Sequence, residues 1–145
     1  VLVLDGISDP GNLGTIIRTC DWYGISDIVC SKETVDCYNS KVVQSSMGSI
    51  SRVKCHYIDI IPFLKTSKLQ KLGATLEGKS IYDSNLNKNI IFVFGNESKG
   101  ISIEVKSFLD NLITIPKNRK SLNIDSLNVA VSVAVILGER FRQII

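Results

Sequence analysis

The chain has 145 residues, of which 44% are hydrophobic and 21% charged, and carries a formal net charge of +3. These values fit one domain with a real core and are ordinary for a soluble globular protein. The mild positive charge admits a nucleic-acid partner without demanding one.

No stretch approaches the ~20 apolar residues of a membrane-spanning helix, and no signal-peptide pattern is present. Cys20, Cys30, Cys37 and Cys55 form no CxxC pair, and His56 is the single histidine. Neither a zinc site nor a disulfide framework is therefore expected, and Cys20 and Cys30 read as core thiols. The sequence starts at Val1, directly in a strand and without Met, so it is expected to be a fragment of a longer chain.

Helical and strand patterns alternate. Val1 to Asp5 reads as a short buried strand. Asn12 to Tyr23 reads as a helix, stopped by Gly24, with Pro10 suited to a turn or a first helical position and Asp9 or Asn12 as its cap. Leu13, Ile16, Ile17 and Cys20 recur at i, i+3, i+4, i+7 and face a core, while Arg18 lies off that stripe on the side of Thr15. Asp27 to Ser31 is predicted as strand, Asn39 to Met47 as helix ended by Gly48, and Arg52 to Ile58 as strand. Ile60 to Leu72 is predicted as helix, with Pro62 in its first turn and Gly73 at its end. A short strand, Ala74 to Glu77, and an irregular connection, Gly78 to Lys88, follow. Asn89 to Phe94 is an apolar run without alternation, as in a parallel strand buried on both faces. Ile101 to Leu109 (helix), Leu112 to Ile115 (strand) and Ser126 to Arg142 (helix, with Ser126 as N-cap) complete the chain. The predicted class is α/β, an open, mostly parallel sheet flanked by helices.

The last helix is apolar nearly all round before Glu139, which predicts packing against both the sheet and a second subunit. Three polar segments stand out. Asp9 to Thr19 joins a strand end to a helix N-terminus, a common ligand position in α/β sheets. Gly95-Asn96-Glu97-Ser98-Lys99-Gly100 leaves the best strand, and its glycines let a ligand approach the main chain. It matches neither a GxGxxG fingerprint nor a Walker loop. In the third segment, Ile115-Pro116 ends a strand and a basic loop with Lys117, Arg119 and Lys120 leads to Ser126-Leu127-Asn128. Burying Asn128 without partners would cost ~1–3 kcal/mol, which points to a ligand or interface role.

Together these segments resemble the three motifs of the SpoU (TrmH-type) family of RNA 2′-O-ribose methyltransferases, in the SPOUT superfamily. Asn12, Gly14 and Arg18 match the first motif and Gly95, Glu97 and Gly100 the second. Ile115-Pro116 with Ser126 to Val129 matches the third. Val42 to Val53, with Ser46-Met47-Gly48, is similar to the family's linking segment, especially in the ribosomal-RNA-modifying branch. The resemblance covers nearly the whole chain, which is then one catalytic domain, residues 1–145, lacking the N-terminal RNA-binding domain that members of that branch often carry.

The resemblance implies a deep C-terminal trefoil knot, a homodimer with the active site near its interface, and a cytoplasmic enzyme that needs no metal. It implies S-adenosyl-L-methionine as cofactor, with Gly95, Asn96, Gly100, Ile115, Leu127 and Asn128 around it. The substrate implied is RNA, either rRNA or tRNA. In the family the arginine at the position of Arg18 is given RNA-orienting and general-base roles. A guanidinium pKa above ~12 makes a neutral arginine costly, so Arg18 is read as positioning RNA and stabilising developing negative charge. Asn12, Glu97, Ser126 and Asn128 would hold Arg18, the hydroxyl and the dimer contact in register. Lys117, Arg119 and Lys120 are expected on RNA phosphates. The third-motif loop is longer and more basic than the family pattern, and its first Ser-Leu-Asn copy offers Ser121 and Asn123 in place of Ser126 and Asn128. The rival functions are a non-catalytic RNA-binding or assembly protein of the same fold and a SPOUT enzyme that methylates a base nitrogen.

Overall fold

The computed structural model describes residues 1–118 and 124–145. Among them, six strands form one sheet: β1 (Leu2–Asp5), β2 (Asp27–Cys30), β3 (Lys54–Tyr57), β4 (Gln70–Ser80), β5 (Ile90–Gly95) and β6 (Asn111–Thr114). Their order is β3-β2-β1-β5-β4-β6, and every neighbouring pair is parallel. The helices are α1 (Pro10–Trp22), α2 (Ser40–Ser45), α3 (Ile60–Thr66), α4 (Ile103–Lys106) and α5 (Val129–Ile144). The α/β class and the parallel sheet agree with the sequence pattern.

Every residue of β5 is buried, because helices cover both faces of the sheet. Side chains alternate across a strand, so Phe92 and Phe94 point one way and Ile91 and Val93 the other. Phe92 and Phe94 join Leu2, Leu4, the α1 stripe and Val133, Ile136 and Leu137 of α5 in one cluster. Ile91 and Val93 join Val3, Val29, Ile60, Leu64 and Val105 in a second cluster beneath α3 and α4. Each large apolar side chain so buried contributes about 1.5–3 kcal/mol.

The α1 cap is Asp9, whose carboxylate accepts from the Asn12 backbone N–H at 2.8 Å, with Pro10 in the first helical position. Three expectations need correction. The helix predicted from Ile60 to Leu72 ends at Thr66, where Ser67 turns extended. Residues 70–73 pair instead with β5, in the register Gln70↔Ile90 to Gly73↔Val93. Asp110 fixes that strand, its carboxylate accepting from the Lys71 N–H at 2.7 Å. β4 then runs to Ser80, through residues read as irregular, by way of a register shift against β6 between Ala74 and Lys79. Gly78 permits the shift at φ +152, where a Cβ would meet the Leu112 backbone at 2.7 Å. The third correction concerns α5, whose cap is Asn128 and not Ser126.

From β1 the chain moves through α1 to β2 on one side, while β5 flanks β1 on the other. The strand order therefore reverses at β1 and β5, and loops at their carboxyl ends frame a crevice suited to a ligand.

Candidate active site

The loops that leave β1 and β5 meet at Glu97. Its carboxylate accepts from the Ser8 N–H at 3.2 Å, the Ser8 hydroxyl at 3.0 Å and the Asp9 N–H at 3.1 Å. A fourth donor is the Asn12 side-chain amide, 3.1 Å away. The other end of the Asn12 amide, Oδ1, accepts from Asn128 Nδ2 at 2.8 Å. Asn128 Oδ1 in turn accepts from the backbone N–H groups of Ala130 at 2.9 Å and Val131 at 3.2 Å. Asn12 thus bridges the second and third motif segments, and the orientation of both amides is set by partners at each end. Asn128 is neither an orphan nor a free surface group. It caps α5 and ties that helix to α1.

Partial burial pulls the Glu97 carboxyl upward. The Asn12 amide and the backbone N–H groups outweigh that and hold it below the ordinary glutamate value of 4.5. A depressed folded-state value means stability that is present above the unfolded value and lost as pH falls through the folded one. Thermal melts from pH 7 to pH 3 should show wild type losing an acid-sensitive increment below about pH 4.5 that Glu97→Gln lacks. Parallel melting curves for the two proteins would remove this account of Glu97.

The loop after β5 is closed on itself. Asn96 and Gly100 exchange backbone hydrogen bonds of 3.0 and 2.9 Å. Asn96 Oδ1 accepts from the N–H groups of Ser98 and Lys99, and its Nδ2 donates to the Gly6 carbonyl at 2.7 Å. Gly95 makes the closure possible, since a Cβ there would lie 2.1 Å from the Gly100 carbonyl carbon and the Ile101 nitrogen.

Beside this loop lies a cleft of about 1300 Å³, framed by residues 74–77, 94–101, 112–118 and 124–129. All six residues expected around a cofactor, Gly95, Asn96, Gly100, Ile115, Leu127 and Asn128, line it, as do Asn12, Glu97, Ser126 and Lys117. The Lys117 ammonium donates to the Ile124 carbonyl, which joins two described parts of the cleft wall. Arg119 and Lys120, and the alternative pair Ser121 and Asn123, lie outside the described residues. Sequence reasoning missed the β4 wall, Ala74 to Glu77, and the role of Ser8 and Asp9. Backbone donors carry no residue signature, and the β4 segment read as a plain short strand.

Arg18 stands apart. Six residues beyond Asn12, it is rotated about 120° round α1 and displaced ~9 Å along it. It is exposed and borders a separate cleft with Asp21, Trp22, Met47, Ser49 and Arg52. The partners of Asn12 are Glu97 and Asn128, so Asn12 does not hold Arg18 directly. Among the described residues, no group of His, Cys, Asp and Glu could hold a metal ion, and no helix is long and apolar enough to cross a membrane.

Comparison with known proteins agrees with this geometry. The chain is 29% identical over 156 residues to the 23S rRNA (guanosine-2′-O-)-methyltransferase RlmB of Neisseria meningitidis, covering 99% of this chain and 58% of that protein. A TrmH-family protein of Porphyromonas gingivalis superposes with a TM-score of 0.90 at 38% identity, over 98% of this chain and 59% of that one. The SpoU methyltransferase AviRb of Streptomyces viridochromogenes, solved with the cofactor AdoMet, gives a TM-score of 0.87 at 25% identity, again over 98% and 59%. The chain therefore spans a little over half the length of these proteins. The family model for SpoU rRNA methylases matches residues 1–138. With that match across almost the whole fold, this chain belongs to the SpoU rRNA methylase family.

Proposed function

We propose that the chain is the catalytic domain of an S-adenosylmethionine-dependent RNA 2′-O-ribose methyltransferase, with rRNA as the first candidate substrate and tRNA as the second. The observation that carries this reading is the Glu97–Asn12–Asn128 lattice, which joins the three motif segments at one edge of a cleft. The names of the Neisseria protein and of cofactor-bound AviRb support it.

The cleft fits such a cofactor. At about 1300 Å³ it exceeds the ~300–1,000 Å³ of a small-molecule pocket, which leaves room for part of a nucleotide. Main-chain groups of Gly95, Ile115 and Leu127 and the Asn96 loop would hold the cofactor, while Ile113 and Ile136 add apolar wall. Bound there, S-adenosylmethionine would supply an electrophilic methyl group to a ribose 2′-hydroxyl. The residues of the chain have the task of orientation. Glu97, fixed by four donors, sets the Asn12 amide, and Asn128 sets its other end. A ribose hydroxyl then meets groups already in place, which lowers the entropic part of the barrier. Ser126 lines the same cleft and is free of capping duty. Arg18 faces outward, where it orients the RNA backbone and stabilises negative charge.

We further propose two features that the family resemblance implies. One is a knotted C-terminal segment, supported by the path from β6, at the sheet edge, back to α5 beside α1. The other is a homodimer through the outward side of α5, where Val131, Phe141 and Ile144 are exposed. Sedimentation of the chain as a monomer at micromolar concentration would count against the dimer.

The decisive experiment incubates the full-length protein with labelled S-adenosylmethionine and rRNA or tRNA, followed by nuclease digestion and mass spectrometry. A 2′-O-methylated nucleoside is expected. A methylated base would favour the base-nitrogen reading, and no label in either RNA would favour a non-catalytic binding protein.

A further inference from the structure

Trp22 is the single tryptophan of the chain and is 84% exposed. It sits at the end of α1 one turn beyond Arg18, and residues four apart share a helix face. The shallow cleft it borders measures about 490 Å³ and is also lined by Met47, Ser49 and Arg52. Met47 is 69% exposed and is the only non-glycine residue with positive φ, +49, among the described residues. That conformation is unfavourable for a residue with a Cβ, and such positions gather at binding sites.

The charges in this cleft are not equivalent. Asp21 is fully engaged, accepting from Arg52 Nη2 at 2.6 Å and Nε at 2.9 Å and from the Ser49 hydroxyl at 2.7 Å. Arg18 makes no hydrogen bond or ion pair among the described residues. The cleft thus offers an exposed aromatic side chain, an exposed thioether in the same lining and one guanidinium without an ion-pair partner among the described residues. An unpaired nucleotide matches it, with its base on the indole and its phosphate on the arginine.

We propose that Trp22 is a stacking platform for an unpaired RNA base, and that Arg18 holds the phosphate beside it. The proposal rests on the methyltransferase reading above and extends the RNA path from the Glu97 cleft along α1. The partners of Trp22 in the cleft, Met47, Ser49 and Arg52, follow α2 in the chain.

Because Trp22 is the only tryptophan of the chain, selectively excited tryptophan emission reports on this position alone. Titration of the wild-type chain with poly(U) at low salt should quench its emission, whereas poly(A)·poly(U) duplex should not. Trp22→Ala should weaken poly(U) binding and raise the KM for rRNA by about 5- to 150-fold, as the loss of one stacked base implies. Trp22→Phe should recover most of that, and cofactor affinity should be unchanged in both. Methylation of rRNA with silent Trp22 emission and unaltered KM in Trp22→Ala would overturn the platform and leave the methyltransferase reading intact. If acrylamide cannot reach Trp22 in the free protein and Trp22→Ala dissociates a dimer, the face belongs to a second copy and the proposal fails. A wild-type protein that neither binds poly(U) nor methylates rRNA would overturn both readings.

Discussion

Replacing Gly95 with alanine should abolish cofactor binding and lower the melting temperature by roughly 5–15 °C. The added methyl would lie 2.1 Å from two backbone atoms, Gly100 C and Ile101 N, and 2.4 Å from the Gly100 oxygen. A side chain could swing aside, but these atoms belong to a loop held by reciprocal Asn96–Gly100 hydrogen bonds and by buried Ile101. Forcing them apart combines overpacking, at about 1–3 kcal/mol, with two backbone hydrogen bonds at ~1 kcal/mol each. The same displacement removes Asn96 and Gly100 from the cleft wall. Gly100→Ala is the informative partner. Nothing lies within 4 Å of its Cβ position, so only the φ of +69 opposes it, at about 1–2 kcal/mol. Calorimetric titration with S-adenosylmethionine and thermal melts on both variants test the pair. Equal, mild effects would mean that the loop yields, and that its closure is not what shapes the cleft.

Arg18→Ala should behave in the opposite way. Arg18 is exposed and has no partner among the described residues, so its removal should leave stability within about 0.5 kcal/mol of wild type. If Arg18 orients the RNA as proposed, methyl transfer should nevertheless fall by ~10²-fold, the cost of misplacing the reacting groups by about 1 Å. Arg18→Lys should recover little, because an ammonium cannot reproduce the guanidinium fork toward phosphate. Single-turnover rates with saturating RNA and cofactor separate this from weakened binding. Full methylation by a folded Arg18→Ala protein would end the assignment.

Asn12, Glu97 and Asn128 were legible in the sequence because polar residues at strand ends and helix starts announce themselves against apolar runs. The way they combine was not legible. Asn12 was expected to serve Arg18, yet helical geometry turns the two about a third of a revolution apart. Ser126 has the chemistry of a helix cap, but Asn128 takes that place because its amide can serve α5 and Asn12 at once. The α3 boundary failed for a different reason. Phe63, Leu64, Leu69 and Leu72 suit a helix locally, and only pairing with β5, together with the Asp110 contact, makes 70–72 a strand. The conformation of Met47 and the exposure of Trp22 are also properties of the folded chain.

The Asn12 bridge has a consequence for how the protein comes into being. Its two bonds close over sequence separations of 85 and 116 residues. During synthesis α1 can meet α2 early, but the amide of Asn12 gains Glu97 only once the loop after β5 has emerged, and Asn128 only after that. Contacts of such range form late, since the loop entropy is spent before the contact stabilises anything. Pulse-labelled hydrogen exchange should therefore protect Ala130 and Val131 amides after those of Ile16 and Ile17, and simultaneous protection would contradict that order. A chain halted before α5 would carry a formed half-sheet without the Glu97–Asn12–Asn128 lattice, so assembly of the site is coupled to the synthesis of α5.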